Sequence, residues 1–185
     1  MIENQKTLVI HPEDVSTDFL KPIYSRITNK IVLTSNLNEE GIKMQILDSN
    51  RIMMMGHGTP SGLLHVGKFV SISPFVIDNR YLPELQQKKN SIFIWCNADQ
   101  FVEKNNLHGF YTGMFISEIG EARYCGLGNV AQETIDESND LFSNLVSDVI
   151  NEDAHKIHAY VCAHYKKITI KNPVADYNYR RLYIR

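Results

Sequence analysis

Two short, almost uninterrupted apolar runs constrain the fold of this chain more than any other feature. Residues 51–56 read Arg-Ile-Met-Met-Met-Gly, and residues 91–96 read Ser-Ile-Phe-Ile-Trp-Cys. A strand with one solvated face alternates apolar and polar residues, whereas a strand that is apolar at nearly every position is buried on both faces. We therefore expect both runs to be central strands of a mostly parallel sheet that is covered by helices on each side.

Strand-like and helix-like segments alternate along the rest of the chain. Further strands are predicted at residues 7–11, 30–34, 122–127 and 179–185, and helices at 17–28, 37–47, 79–89, 111–119, 134–149 and 154–167. Segment 59–77 contains Pro and Gly and predicts a loop with a small hairpin, and Thr134 with Glu137 predicts a capping box. The alternation predicts a three-layer α/β/α sandwich whose mostly parallel central sheet has about six strands.

Length and composition agree with one globular domain spanning residues 1–185. Apolar residues make up 43% and charged residues 22%, which excludes a disordered chain. The sequence has no apolar run near the length of a membrane span, and residues 1–4 lack the features of a secretion signal, so we expect a cytoplasmic protein without membrane contact. Three widely spaced cysteines predict free thiols rather than disulfides or a thiolate zinc site.

The C-terminal segment is basic. From Ala154 onward, seven Lys or Arg residues stand against the single acid Asp176, a local charge of +6 that leaves −8 for the rest of the chain. With its interleaved tyrosines this segment could bind nucleic acid through phosphates and stacked bases. A solvated helix face followed by a charged edge strand is the interpretation that we prefer.

A histidine and a cysteine follow the two apolar runs. The carboxyl ends of neighbouring parallel strands meet at one edge of a sheet, which would place His57 beside Cys96 where α/β sheets bind ligands. A cysteine becomes an effective nucleophile as its thiolate, and a nearby imidazole can take the proton. The backbone N–H of Gly58, a residue with no side chain to block a carbonyl, could pair with the N–H of Cys96 as an oxyanion hole.

Each of these residues also has a structural interpretation. Free cysteine is among the most buried residue types, so Cys96 could be an ordinary strand residue. His158 and Cys162 are four residues apart on one predicted helix, a spacing at which both side chains could bind one metal ion. An ordinary helix surface is the simpler interpretation. No Gly-Lys-Ser/Thr phosphate loop and no Gly-x-Ser-x-Gly nucleophile elbow occurs in the sequence.

Taken together, these motifs resemble the caspase-like cysteine peptidases, a group that includes caspases, metacaspases, gingipains and CHAT domains. The likeness rests on Gly56-His57-Gly58 after one strand and Trp95-Cys96 after the next. The segment 62–64 is closest to CHAT and gingipain-type sequences, and the order of elements is similar from residue 51 to about 150. The resemblance implies a cysteine endopeptidase with His57 as the base, Cys96 as the nucleophile, and Gly58 with Cys96 as oxyanion donors. It implies no metal or organic cofactor.

One position departs from the pattern of this family. Members that cleave after Arg or Lys often carry Asp two residues before the cysteine, and this chain has Ile94 there. Asp99, three residues after Cys96, remains a candidate for binding a cationic substrate group, and a solvated loop carboxylate is the alternative. The first functional hypothesis is a peptidase that acts on a protein or peptide, and the second is an inactive caspase-fold module that binds a protein partner. A nucleic-acid-binding protein that uses the basic C-terminal segment is the third and least favoured. The sequence does not define the oligomeric state.

Overall fold

A computed structural model describes residues 5–185 and contains a central six-stranded sheet in the order β2-β1-β3-β7-β8-β9. The first five of these strands run parallel to one another, and β9 pairs antiparallel with β8. The six strands are β1 Thr7–Ile10, β2 Lys30–Leu33, β3 Arg51–Met55, β7 Ser91–Ile94, β8 Gly109–Thr112 and β9 Leu182–Ile184. The predicted absence of a secretion signal concerns residues 1–4, which lie outside the described residues.

Helices and a small second sheet complete the fold. The predicted hairpin is formed by β4 Gly58–Thr59 and β5 Gly62–Leu64, and β6 Phe75–Ile77 extends it to a three-stranded antiparallel sheet. Short 3₁₀ segments lie at Val15–Leu20, Asn79–Tyr81 and Lys166–Ile168. The helices are α1 Lys21–Ser25, α2 Glu39–Leu47, α3 Leu82–Leu85, α4 Ala98–Lys104, α5 Ile119–Tyr124, α6 Gln132–Asp148, α7 Ala154–Tyr165 and α8 Pro173–Tyr179.

The central strands are buried on both faces, as their composition predicts. Successive side chains of a strand point to opposite faces, so Met53 and Met55 belong to one apolar cluster and Met54 belongs to the other. The first cluster lies under residues of α1, α6 and α7. The second lies under residues of α2, α3 and α4 and includes Leu63 of the small sheet. The predicted three-layer α/β/α sandwich with a mostly parallel sheet of six strands is therefore confirmed.

The strand order creates a crevice at one edge of the sheet. The chain adds β2 on one side of β1 and then returns to add β3 on the other side, with α1 and α2 packed on opposite faces. Ligands bind at such a reversal, outside the carboxyl ends of the strands. The residues that follow β1, β3, β7 and β8 meet at this edge.

Two predicted elements between residues 109 and 127 were wrong. The predicted helix 111–119 contains the end of strand β8, because the aromatic residues Phe110 and Tyr111 pair parallel with β7 and Thr112 pairs antiparallel with β9. Gly109 fits there because its φ is +147° and a Cβ would lie 1.9 Å from the carbonyl oxygen of Ser91. The first three residues of the predicted strand 122–127 belong to helix α5, in which Ala122 N–H bonds to Glu118 O, and the last three lie outside any strand. The order of these two elements is thus the reverse of the prediction.

The capping box was also wrong. Helix α6 begins at Gln132, two residues before Thr134, and has no side-chain cap. Asn172 uses both predicted capping residues in a tertiary contact: its Nδ2 donates to Thr134 O at 2.8 Å and to Glu137 Oε2 at 3.0 Å. Asn172 in turn caps α8 by accepting from Ala175 N–H. Helices α4 and α8 were not predicted from the sequence.

The basic C-terminal segment is built from ordinary helix and strand contacts. Arg180 pairs with Asp176 at 3.0 Å, and the guanidinium of Arg181 lies 3.5 Å from the ring centre of Tyr177. Strand β9 forms the sheet edge, as predicted. None of the helices between residues 5 and 185 is long and apolar enough to cross a membrane.

Candidate functional site

Backbone geometry directs His57 and Cys96 out of two adjacent strands. Gly56 has a φ of +137°, a region that side-chain-bearing residues rarely adopt, and its N–H bonds to Ile94 O at 3.0 Å. The β3–β7 pairing therefore continues to the last residue before His57. After Cys96, Asn97 takes a left-handed conformation, with a φ of +65°, and turns the chain into α4. Both reactive residues consequently lie at the carboxyl edge of the sheet, as predicted.

His57 and Cys96 line the same cavity. Its volume is about 20 Å³, which is enough for one water molecule. Phe19, Leu20 and Phe115 form much of its apolar wall. A substrate peptide therefore has no room between the two reactive side chains in this conformation.

The His57 ring is held by a chain of two hydrogen bonds. Ser16 Oγ lies 2.7 Å from Asp14 Oδ1 and 2.7 Å from His57 Nε2. Hydrogen bonds from the Ser16 side chain and backbone lower the pKa of Asp14, so this carboxylate is ionised and only accepts. The Ser16 hydroxyl donates to Asp14 and accepts from His57 Nε2–H. The neutral ring is thereby the Nε2–H tautomer, with Nδ1 available to take a proton.

A second, buried histidine anchors the segment that carries Ser16. His11 follows β1, is 2% exposed, and bonds through Nε2 to Thr17 Oγ1 at 3.0 Å and through Nδ1 to Tyr24 Oη at 3.1 Å. Thr17 donates its own proton to Asp14 O, so it accepts from His11 Nε2–H, and Tyr24 donates to Nδ1. Burial lowers the pKa of His11 to about 4, so the ring is neutral at pH 7.

Cys96 is bound by a carboxylate and a carbonyl. Its Sγ lies 3.2 Å from Glu121 Oε1 and 3.5 Å from Phe115 O. The other carboxylate oxygen of Glu121 accepts from the N–H and hydroxyl of Ser117, at 2.7 and 2.9 Å. Burial, and then the negative charge of Glu121, raises the pKa of Cys96 far above its usual range. The sulfur is therefore a protonated hydrogen-bond donor at neutral pH, and no bond between it and His57 occurs in the described part of the chain.

Gly58 is required by packing. A Cβ at this position would lie 2.0 Å from Cδ1 of Trp95, whose indole N–H donates to Thr59 O at 3.1 Å. His57 O accepts from Leu64 N–H at 2.8 Å, which makes the next pair of the β4–β5 ladder, Gly58 with Leu63, a non-hydrogen-bonded pair. The N–H of Gly58 thus points away from β5, which is compatible with the predicted oxyanion role.

Asp99 is not brought to the His57–Cys96 cavity. It lies in the first turn of α4 and is absent from the cavity lining. Its Oδ1 is buried without a hydrogen-bond partner among the described residues, and burial raises the pKa of its carboxyl. The positive charge of Arg181 acts in the opposite direction and lowers that pKa, but by less than burial raises it. The structure gives Asp99 no contact with the reactive residues.

Sequence reasoning missed the groups that hold the two reactive side chains. Ser16 and Asp14 follow β1, and their proximity to His57 depends on the strand order, which no local pattern reveals. Glu121, which directly precedes the predicted strand 122–127, instead projects from α5 to the thiol.

The two residues considered as metal ligands bind each other instead. His158 Nε2 lies 3.4 Å from Cys162 Sγ and 3.2 Å from Leu182 O. No metal-binding group of three or more His, Cys, Asp or Glu residues occurs between residues 5 and 185.

Comparison of the chain with protein-family models, with curated proteins and with solved structures gave no match. The functional argument therefore rests on the geometry of the site.

Proposed function

We propose that this chain is a caspase-like cysteine endopeptidase in a resting arrangement. The observation that carries the proposal is that His57 and Cys96, from adjacent parallel strands, line one cavity at the carboxyl edge of the sheet. The Ser16 bond adds support, because it fixes the imidazole tautomer that leaves Nδ1 free as a base.

The reaction is an acyl transfer in two stages. His57 Nδ1 takes the thiol proton while Cys96 Sγ attacks the peptide carbonyl carbon, and the backbone N–H groups of Gly58 and Cys96 stabilise the oxyanion. The C–N bond then breaks, and the departing amine receives the proton from His57. A water molecule, deprotonated by His57, attacks the thioester and restores the thiol.

The resting arrangement must open before this reaction can begin. A thiol with a raised pKa that donates to Glu121 is a poor nucleophile. Movement of α5, which carries Glu121, would remove that negative charge and enlarge a cavity that now holds one water molecule. We infer that activation consists of this displacement.

An inactive module that binds a protein partner is the second candidate. It is favoured by the small volume of the cavity and by the carboxylate that keeps the thiol protonated. In that case Glu121 and Cys96 form a permanent structural contact, and His57 has no chemical role.

Active-site labelling separates the two candidates. Peptidyl acyloxymethyl ketones react with activated catalytic thiols. In the wild-type chain we expect slow labelling at Cys96, located by mass spectrometry, because only molecules in which the resting arrangement has opened can react. His57→Ala should reduce the labelling rate at least tenfold, on the order of a general-base contribution. Glu121→Gln should increase the rate by removing the negative charge beside the thiol.

Cys162→Ala is the matched control because it removes another half-buried thiol that does not line the cavity, and it should leave the labelling unchanged. Labelling that is independent of His57, or that appears only after unfolding, would exclude the peptidase and leave the inactive module.

A further inference from the structure

A carboxylate lies beside the imidazole of His57, in the loop that follows β1. Asp14 is the N-cap of the 3₁₀ segment Val15–Leu20, and its Oδ1 accepts the backbone N–H of Ser16 at 2.9 Å and the hydroxyl of Ser16 at 2.7 Å. Its Oδ2 lies 3.9 Å from His57 Nε2. One oxygen of the carboxylate thus fixes the serine, and the other lies near the ring.

The contacts around Asp14 restrict this arrangement. Thr17 donates to Asp14 O at 3.0 Å and accepts from the buried ring of His11 at 3.0 Å, so the backbone of the cap is tied to a residue of the core. The hydroxyl of Ser16 has a single proton, which it gives to Asp14. Ser16 can therefore meet His57 only as an acceptor.

The charge of Asp14 gives this chain of hydrogen bonds a direction. The two bonds from Ser16 lower the pKa of Asp14, and the charges of His57 and Lys68 lower it further, so the carboxylate is ionised at neutral pH. In the proposed reaction the imidazole of His57 becomes positively charged when its Nδ1 takes the thiol proton. Its Nε2–H already donates to Ser16, so a fixed negative charge stabilises the new positive charge without rotation of the ring.

We propose that Asp14 and Ser16 are positioning residues for the base His57: Ser16 accepts from Nε2–H, and Asp14 supplies the negative charge that acts through Ser16. The inference rests on the proposed function, because the charge matters only where His57 takes a proton during a reaction. The alternative is that Asp14 only caps the 3₁₀ segment, a role that requires an oxygen acceptor and no charge.

The substitution Asp14→Asn separates the two roles. Asparagine caps as well as aspartate, so the segment should keep its conformation. Loss of the charge should lower the maximum rate at which a peptidyl acyloxymethyl ketone labels Cys96 by about three- to tenfold, as for a charge-assisted hydrogen bond at a partly exposed site. The ketone concentration that gives half of this rate should change by less than about twofold, because Asp14 does not bind the probe.

Asp18→Asn is the matched control for this substitution. It removes another acid of the same segment, which pairs with Lys21 at 2.7 Å, and it should leave the labelling rate unchanged. Ser16→Ala should lower the rate by about as much as Asp14→Asn, because it interrupts the same chain of hydrogen bonds. Ser16→Thr keeps the hydroxyl and should restore most of the rate.

A double-mutant cycle shows whether the charge acts through His57. In the His57→Ala background, Asp14→Asn should have no further effect on labelling, because the group that the carboxylate stabilises is gone. A loss confined to chains that retain His57, and rescued by Ser16→Thr, supports the proposal. An equal loss in both backgrounds, or an unchanged rate in Asp14→Asn, overturns the positioning role and keeps the peptidase. Absence of labelling in the wild type and in every variant overturns both.

Discussion

Replacement of His11 by glutamine tests the buried network behind the candidate site. In the folded chain His11 is neutral and lies between Thr17 and Tyr24, and burial lowers its pKa from 6.5 to about 4. In the unfolded chain the ring recovers its ordinary pKa. As the pH falls below 6.5 the unfolded state takes up a proton that the folded state does not, so stability is lost until the pH reaches about 4.

The magnitude follows from the two pKa values. This difference in pKa corresponds to a loss of about 3 kcal/mol in the free energy of unfolding as the pH falls from 7 to about 4. About 2 kcal/mol of this is lost between pH 7 and pH 5. Carboxylates with lowered pKa values, such as Asp14 and Asp78, lose their contribution only below their ordinary value of 3.8, outside this window. The raised pKa of Asp99 acts in the opposite direction and is common to the wild type and the variant.

Urea denaturation at pH 7 and pH 5 measures the effect. On this pH change the free energy of unfolding should fall by about 2 kcal/mol more in the wild type than in His11→Gln, because glutamine does not titrate. Tyr24→Phe is the control: it removes the Nδ1 partner and keeps the titrating ring, so its pH dependence should remain. If the free energies of unfolding of the wild type and of His11→Gln change by the same amount between pH 7 and pH 5, within about 0.5 kcal/mol, the assignment of His11 as a buried neutral residue is refuted.

Two further substitutions test the geometry of the reactive edge. Gly58→Ala should destabilise the chain by about 1–3 kcal/mol or more, because the new methyl group overlaps Trp95, whereas Gly128→Ala, in open space, should be tolerated in thermal unfolding. Ser16→Ala should convert the single Nε2–H tautomer of His57 into a mixture, visible in the ring ¹⁵N shifts, and an unchanged tautomer would contradict the hydrogen-bond chain.

Local patterns determined the two central strands and the positions of His57 and Cys96 at their ends. Burial on both faces requires apolar residues at nearly every position, so the runs at 51–56 and 91–96 identified central strands without knowledge of their neighbours. The direction of a parallel sheet then places the residues after those strands at one edge. These physical reasons depend on sequence positions alone, which explains why His57 and Cys96 were predicted to line one site.

Errors arose where local patterns are ambiguous. Short apolar segments satisfy helix and strand periodicity equally well, so β8 and α5 were exchanged, although Gly109 could have indicated the close approach of another backbone. The polar segment after Cys96 gave no apolar pattern, and α4 was missed for that reason. Thr134 and Glu137 had the spacing of a cap, and the tertiary partner Asn172 uses them instead.

The sequence by itself determined that His57 and Cys96 lie at the same edge of the sheet. Only the tertiary structure decided their chemical state: Ser16 sets the tautomer of His57, and Glu121 keeps Cys96 protonated. Both contacts join residues 25 or more positions apart, and they depend on loops whose course is set by packing. Strand position follows from hydrophobic periodicity, whereas a pKa follows from whichever charges and acceptors the completed fold brings within a few ångströms.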